Sequence, residues 1–533
     1  MTAAPNTTSP PDSISTALYN RRVRAWSLYD VADHAYITVT GTTFFPPYFV
    51  AIATPAFLIA GQAADKAATA LARDTASNMY AFAVSLALFI AAILAPIIGT
   101  YADLTGRRKR ILVVTTAAGG VIASLMVTLT TGMWVIGLLL YMVTQIALNI
   151  ALGMNSSLLP HVARPSDIDR VSSLGYAMGY IGGGLLLLVN TVLFLFADKL
   201  GIDSSTAVRI AFLSVGFWWI GFMIPTALIV PEPPAVPLVN SSGNMIRDAF
   251  TRLGHTLRDI QHYRELFKML VAFWLYSEGI GAIILLSTAY GSALGLDSGA
   301  LIAALLLTQF VAFPYALIYG RIANAANNHR SAYVSMLLWT AITMPILGVF
   351  ANLSVTSAGQ GLSLPLTFGL IAVDQIVGIL FAHFVGSKLL TGFTARLDTK
   401  RAVVLGLLIY TIIPIWGFFL HSSAEFFMIG WLVGTVQGGT QALSRSIYSR
   451  LCPPAKSGEF FGLYGLSEKF AGILGPLLYG IIGTLTHSPQ ASVLSISVFF
   501  ILGMVLLWRV NETAGAAVAQ ADEQQIEASH AAS

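Results

Sequence analysis

Apolar runs recur along the chain, each about as long as a helix needs to cross a hydrocarbon core, ~20 residues at ~1.5 Å rise per residue. They lie near residues 26–50, 79–98, 111–130, 133–153, 173–196, 207–230, 266–290, 299–319, 331–351, 366–388, 402–421, 425–445, 459–484 and 491–508. The pattern predicts an all-α polytopic membrane protein of about 14 transmembrane helices. Between the sixth and seventh runs it changes. Residues 231–265 open with Pro231-Glu-Pro-Pro234, which ends the preceding helix. Ile246, Phe250, Leu253, Leu257 and Ile260 then recur at helical spacing among Arg247, Arg252 and Arg258. Such a basic amphipathic stretch suits the headgroup layer of a bilayer, with docking of a soluble partner as the alternative. This linker separates an N-terminal six-helix bundle, 25–230, from a C-terminal bundle, 266–510. Polar tails fill 1–24 and 511–533, and the second reads as disordered.

The two bundles read as repeats. The first begins Trp26-Ser-Leu-Tyr-Asp30 and the second Phe273-Trp-Leu-Tyr-Ser-Glu278. Ser156-Ser-Leu-Leu-Pro160 followed by Gly175-Tyr-Ala-Met-Gly-Tyr-Ile-Gly-Gly183 matches Ser444-Arg-Ser-Ile-Tyr448 followed by Gly462-Leu-Tyr-Gly465 and Gly472-Ile-Leu-Gly-Pro476. These landmarks pair span four with span twelve and span five with span thirteen. The second bundle therefore holds an extra helix pair, near 326–391. Thr308-Gln-Phe-Val-Ala312 in span eight is similar to Asp374-Gln-Ile-Val-Gly378 in span ten, as a local duplication would leave them. Parallel six-helix repeats belong to transporters that bind substrate near the midplane between halves.

Composition and charge narrow the function. The chain is 56% hydrophobic and 10% charged, with mean hydropathy +0.74, so it is not a globular domain with an anchor. The net charge of +4 is dispersed in loops, which argues for membrane orientation and against nucleic-acid binding. Of the 29 Lys and Arg residues only Lys66, Arg73, Lys199 and Arg209 fall on the outer side if both termini are cytoplasmic. The polar first 20 residues carry no apolar signal-peptide core. A lone cysteine, Cys452, rules out an intramolecular disulfide and a multi-cysteine zinc site. No metalloprotease, nucleophile-elbow or nucleotide-loop motif occurs, so neither an enzyme nor a cofactor is expected.

One loop, Gly99-Thr-Tyr-Ala-Asp-Leu-Thr-Gly-Arg-Arg-Lys-Arg110, joins the second and third spans. Its glycines allow a tight turn, Asp103 can accept from a neighbouring helix N-terminus, and four cations hold it in the cytoplasm. The spacing resembles the signature loop of the major facilitator superfamily. Trp26-Ser-Leu-Tyr-Asp-Val-Ala-Asp-His-Ala-Tyr36 with Phe45-Pro-Pro-Tyr-Phe49 is similar to the first helix of its vacuole-effluxer-like branch. So are Gln437-Gly-Gly-Thr-Gln-Ala-Leu-Ser-Arg-Ser446, Glu459-Phe-Phe-Gly462 and Glu468-Lys-Phe-Ala-Gly472, the most specific part. The resemblance covers most of 25–510 and implies a secondary transporter; fungal members are linked to amino-acid efflux from the vacuole. It also implies a conformational latch of Gly99, Asp103, Gly106, Arg107 and Arg108, with Asp103 and Arg107 as its leading pair. The chain departs from the family where Asp33-His34 replaces Asn-Ser, where Ser277-Glu278 replaces Asn-Asp, and at the extra helix pair.

Polar residues inside spans are costly unless they face a cavity or a partner, so they are the site candidates. Asp30 and Asp33 share a helix face, with His34 one turn from Asp30. Two close carboxylates disfavour double ionisation, which suits proton exchange, while shallow capping or pairing with loop cations is the structural alternative. Glu278 lies near mid-membrane and is expected to be the principal coupling carboxylate. Asp374 and His383, on the extra pair, read as structural. Gln145 and Asn149 on span four, and Gln437, Gln441 and Arg445 on span twelve, form amide stripes that suit cavity walls, Arg445 being placed for a carboxylate or phosphate. Interhelical hydrogen bonding is the plainer use of such amides. Gly175, Gly179 and Gly183 form a close-packing face. The reading is a proton-coupled transporter of a small polar metabolite such as an amino acid, working in the lipid bilayer by alternating access. A non-transporting receptor or scaffold on the same fold is the alternative.

Overall fold

The computed structural model describes residues 14–58, 66–236, 245–258, 261–294, 296, 298–324, 327–358, 362–470, 472 and 474–532. No strand occurs among the described residues. The first span is a broken helix: α1 (Thr16–Ser27), α2 (Tyr29–Ala35), a π-helical stretch (Tyr36–Phe44) and α3 (Phe45–Ala53). Pro46 and Pro47 lack the N–H groups that would continue the regular ladder. Threonines bond to carbonyls around the break: Thr38 donates to His34 O at 2.9 Å, Thr42 and Thr43 to Thr38 O at 2.9 and 2.7 Å.

The rest of the first bundle is α4 (Lys66–Thr105), α5 (Arg108–Leu125), α6 (Trp134–Val162), α7 (Ile168–Leu195) and α8 (Ser204–Ile229). The linker forms α9 (Met245–Arg258), with Leu253 buried, Phe250 and Arg247 exposed, and Ile260 outside the described residues. The second bundle runs α10 (Arg264–Ala293), α11 (Ser298–Ala323), α12 (Arg330–Ala358), α13 (Leu364–Phe381), two short turns α14 (Ser387–Leu389) and α15 (Thr391–Thr394), then α16 (Thr399–Phe418) and α17 (Ser423–Leu451). It continues through α18 (Ser457–Phe470), α19 (Leu474–Thr486), α20 (Pro489–Ser495) and α21 (Ser497–Trp508). The expected disordered tail is instead a helix, α22 (Glu512–Ala532).

Eleven helices among the described residues are long and apolar enough to cross a membrane. The other three expected spans are helical but differ in kind. The first is broken, the thirteenth is divided between α18 and α19, and α17 is polar. Most of α17 is buried within protein rather than set against lipid, which is where a polar helix is tolerated at membrane depth.

Packing repeats between the bundles. In the first, α5 lies against α6 and α8, α4 against α6, and α2 against α7 and α8. In the second, α16 lies against α17 and α21, α11 against α17, and α10 against α18 and α21. The neighbour relationships coincide when α12 and α13 are set aside. The bundles meet along α4 with α18 and α7 with α11, where glycines let backbones approach. A Cβ on Gly99 would sit 2.0 Å from Gly458 O, and one on Gly462 would sit 2.5 Å from Pro96 Cα.

Candidate functional site

Polar groups converge at two levels between the bundles. At one end Asp103, fully buried, caps the N-terminus of α18: its carboxylate accepts from Gly458 N at 2.8 Å and Glu459 N at 2.9 Å. Exposed N–H groups and the helix dipole favour an anion there. Arg108 Nε donates to the same carboxylate at 2.5 Å, and Arg108 Nη2 to Ala455 O at 2.7 Å, across the bundle interface. Gly106, at φ +61°, makes the turn that returns the chain to α5. The pairing corrects one expectation: Arg107 is exposed, and the buried partner of Asp103 is Arg108. His161, from α6, also reaches the turn before α18, 3.0 Å from Pro454 O.

Deeper in, Arg445 of α17 crosses to the first bundle. Its Nη2 donates to Asp30 Oδ2 at 3.3 Å and to Ser172 O at 3.0 Å, and its Nε to Ser172 Oγ at 3.0 Å. The guanidinium lies 4.9 Å from the Trp26 ring and 4.4 Å from that of Tyr176, both favourable cation–π positions. Asn155 Nδ2 donates to Asp30 Oδ1 at 2.8 Å. One turn on, Asp33 Oδ1 is 2.8 Å from His34 Nδ1, and Asp33 Oδ2 is buried with no hydrogen-bond partner among the described residues. The His34 ring stands edge-on to Tyr176 and Tyr180, and Tyr180 donates to Gln441 Oε1 at 2.7 Å. Asp30, Asp33 and His34 of α2, Gln441 and Arg445 of α17, and Ser172, Tyr176 and Tyr180 of α7 therefore form one cluster.

The glycine stripe of α7 seats this cluster and does more than pack helices. A Cβ on Gly175 would lie 2.1 Å from Asp30 Oδ2, and one on Gly179 would lie 2.6 Å from the His34 ring. Tyr176, Tyr180, Ser172 and Asn155 were missed as site residues. The signal available for the tyrosines was their position inside the glycine stripe; Ser172 and Asn155 carried none.

Glu278 stands elsewhere. It is fully buried on α10, and its Oε2 accepts from Gly475 N at 2.9 Å, at the start of α19. Thus Asp103 caps α18 and Glu278 caps α19, the two parts of one divided span. Gln145 and Asn149 stay with their own helix: Gln145 Nε2 donates to Tyr141 Oη at 2.6 Å and Asn149 Nδ2 to Gln145 O at 2.7 Å. Gln437 is buried on α17. Asp374, on the extra pair, accepts from Trp339 at 3.2 Å, Thr343 at 3.1 Å and Gln375 at 2.9 Å; His383 is exposed.

Comparison with known proteins meets this geometry. An uncharacterized MFS-type transporter of Bacillus subtilis (strain 168), YxiO, is 29% identical over 94% of this chain and 97% of its own. Autophagy-related protein 22-1 of Penicillium rubens is 23% identical over 66% of this chain and 50% of its own, so the chain spans about half the length of that fungal relative. The major facilitator transporter FucP in its outward conformation shares the fold with TM-score 0.57 at 11% identity, covering 92% of this chain and 98% of FucP. The proton:xylose symporter XylE gives 0.55 at 12% identity, over 97% and 99%. The family described as vacuole effluxer Atg22 like matches residues 19–373 and 366–520. The chain therefore belongs to that family, a branch of the major facilitator superfamily, and is a multi-pass membrane transporter.

Proposed function

We propose that the protein is a proton-coupled secondary transporter that moves a small polar metabolite, of the amino-acid class, by alternating access between the two bundles. The carrying observation is the Arg445–Asp30 pair beside Asp33 and His34, where opposite charges from the two bundles meet in a buried, aromatic-walled cluster. A zwitterion can exchange with such a pair. Its carboxylate takes the planar guanidinium fork, and its ammonium takes the Asp30 carboxylate. Asp33 and His34 share a hydrogen bond that can hold or pass a proton, and the second Asp33 oxygen is the place for one. Glu278 is the second coupling candidate, because loading a proton there weakens its hold on the α19 N-terminus. The Asp103–Arg108 latch closes the cytoplasmic end, and both termini are cytoplasmic. Gln145, Asn149 and Gln437 line the path. The extra pair, α12 and α13, is an insertion in a six-plus-six plan.

Uptake into liposomes, screened across amino acids, peptides and organic acids with and without a pH gradient, tests the proposal. A gradient-driven amino acid whose movement is lost in Asp33→Asn, with substrate exchange kept, is the expected result. Ligand binding without flux in the unaltered protein would mean a receptor. If Asp33→Asn and Glu278→Gln both still concentrate substrate from a pH gradient, the coupling assignment fails.

A further inference from the structure

The tail helix α22 lies against the same turn that the latch grips. Glu523 Oε2 accepts from Ala455 N at 2.9 Å, while Ala455 O accepts from Arg108 Nη2 at 2.7 Å. One residue is thus held from both sides, by the tail and by the first bundle. The neighbouring Asp522 carboxylate accepts from the Tyr263 hydroxyl, lies 3.0 Å from His262 Nε2 and takes Lys456 Nζ at 3.4 Å. The root of α22 is anchored too. Asn511 N donates to Glu265 Oε2 at 2.8 Å, and Gly515 sits so close that a Cβ would meet Leu451 at 2.4 Å. The turn 453–456 leads directly into α18, whose first N–H groups face Asp103.

We propose that Asp522 and Glu523 are positioning residues of the latch: α22 braces the 453–456 turn so that the N-terminus of α18 meets Asp103, and releasing α22 shifts the transporter towards opening at this end. The inference rests on the alternating-access reading. Two contacts place one carboxylate on the backbone of the turn and the other on its lysine, and nothing in a disordered tail could do this.

Cys452, the lone cysteine, lies at the start of the turn with 1% exposure and can report its movement without an introduced cysteine. The experiment measures alkylation of Cys452 in the full-length, liposome-reconstituted protein. Asp103→Ala should accelerate it by roughly tenfold or more, about the factor that one lost charge-assisted hydrogen bond represents. Glu523→Ala combined with Asp522→Ala should approach that rate. Glu523→Gln alone should stay near the unaltered protein, because its amide oxygen can still accept from Ala455. Acceleration by Asp103→Ala with none from the double variant overturns the brace while leaving the latch intact. No acceleration by Asp103→Ala removes the latch and the brace together, and Glu523→Gln reacting as fast as the double variant shows that the carboxylate is not acting as an acceptor for Ala455.

Discussion

Arg445 and Asp30 join the two bundles through a buried ion pair, 3.3 Å from Nη2 to Oδ2, with aromatic rings around the guanidinium. In the proposed alternating-access cycle such a pair must break or exchange partners as the bundles rock apart. Removing one member leaves the other charge uncompensated in a water-poor site, a cost of about 3–5 kcal/mol. Asp30→Asn and Arg445→Gln should each lower the thermal midpoint and abolish transport. The double variant should regain most of the midpoint and none of the transport. Calorimetry beside liposome flux checks both, and a double variant no more stable than either single one contradicts the pairing.

The proposed latch distinguishes two adjacent arginines. Arg108→Ala should slow transport strongly, since Arg108 is buried between Asp103 and Ala455. Arg107→Ala should change it by less than about twofold, because exposed charges contribute ~0–1 kcal/mol. Asp103→Ala should slow transport while leaving equilibrium substrate affinity within a few-fold. Complete loss of binding in a folded Asp103 variant is the result that rejects a latch.

Gly179 tests the seating of His34. Glycine to alanine inside a helix is intrinsically favourable by ~1 kcal/mol, yet the added Cβ would lie 2.6 Å from the imidazole. Gly179→Ala should therefore keep or lose little stability while cutting pH-driven transport about tenfold, equivalent to ~1.4 kcal/mol. Gly221→Ala on α8, where a Cβ would meet nothing within 4 Å, is the control and should leave flux unchanged.

Glu278→Gln keeps an acceptor for Gly475 N but cannot titrate, whereas Glu278→Ala removes both. The glutamine variant should retain its melting point and substrate exchange and lose gradient-driven accumulation. The alanine variant should also lose stability, by about 1–3 kcal/mol for an unsatisfied buried N–H. Equal melting points for the two variants would show that the cap contributes nothing.

Acid should free the tail helix. Burial of Asp522 favours the protonated form, but hydrogen bonds from Tyr263 and His262 and the Lys456 charge outweigh it and hold the carboxyl below its ordinary value. Docking by Asp522 is thus complete above the ordinary aspartate range and is lost as pH falls through the depressed value. Burial pushes Glu523 up despite its Ala455 bond, so its contribution has the opposite sign and weakens as pH rises through the raised value. Hydrogen exchange of the α22 amides, corrected for intrinsic rates, should rise on acidification. In Asp522→Asn that acid-induced rise should be absent.

The membrane class and the two repeated bundles were legible in the sequence, because each rests on local chemistry; the loop 99–110 was legible as a charged turn, but the packing of Asp103 and Arg108 against α18 was not. Apolar runs of one bilayer's thickness must span, and charged turns must stay outside. The Asp30–Asp33–His34 face and Arg445 were legible as costly intramembrane polar residues, but not as neighbours. Only the tertiary structure decided that, since α2 and α17 are brought together by the glycine stripe of α7, whose missing side chains leave the room. It also chose Arg108 over Arg107, because two adjacent arginines are alike in composition and only the turn at Gly106 determines which one points inward. Glu278 read as a coupling carboxylate near mid-membrane, and only the tertiary structure sets it against the start of α19; the tail looked disordered because its helix is held by partners more than 60 residues away in the chain. Local sequence records what a segment costs to bury; it does not record which distant N–H or carboxylate meets it there.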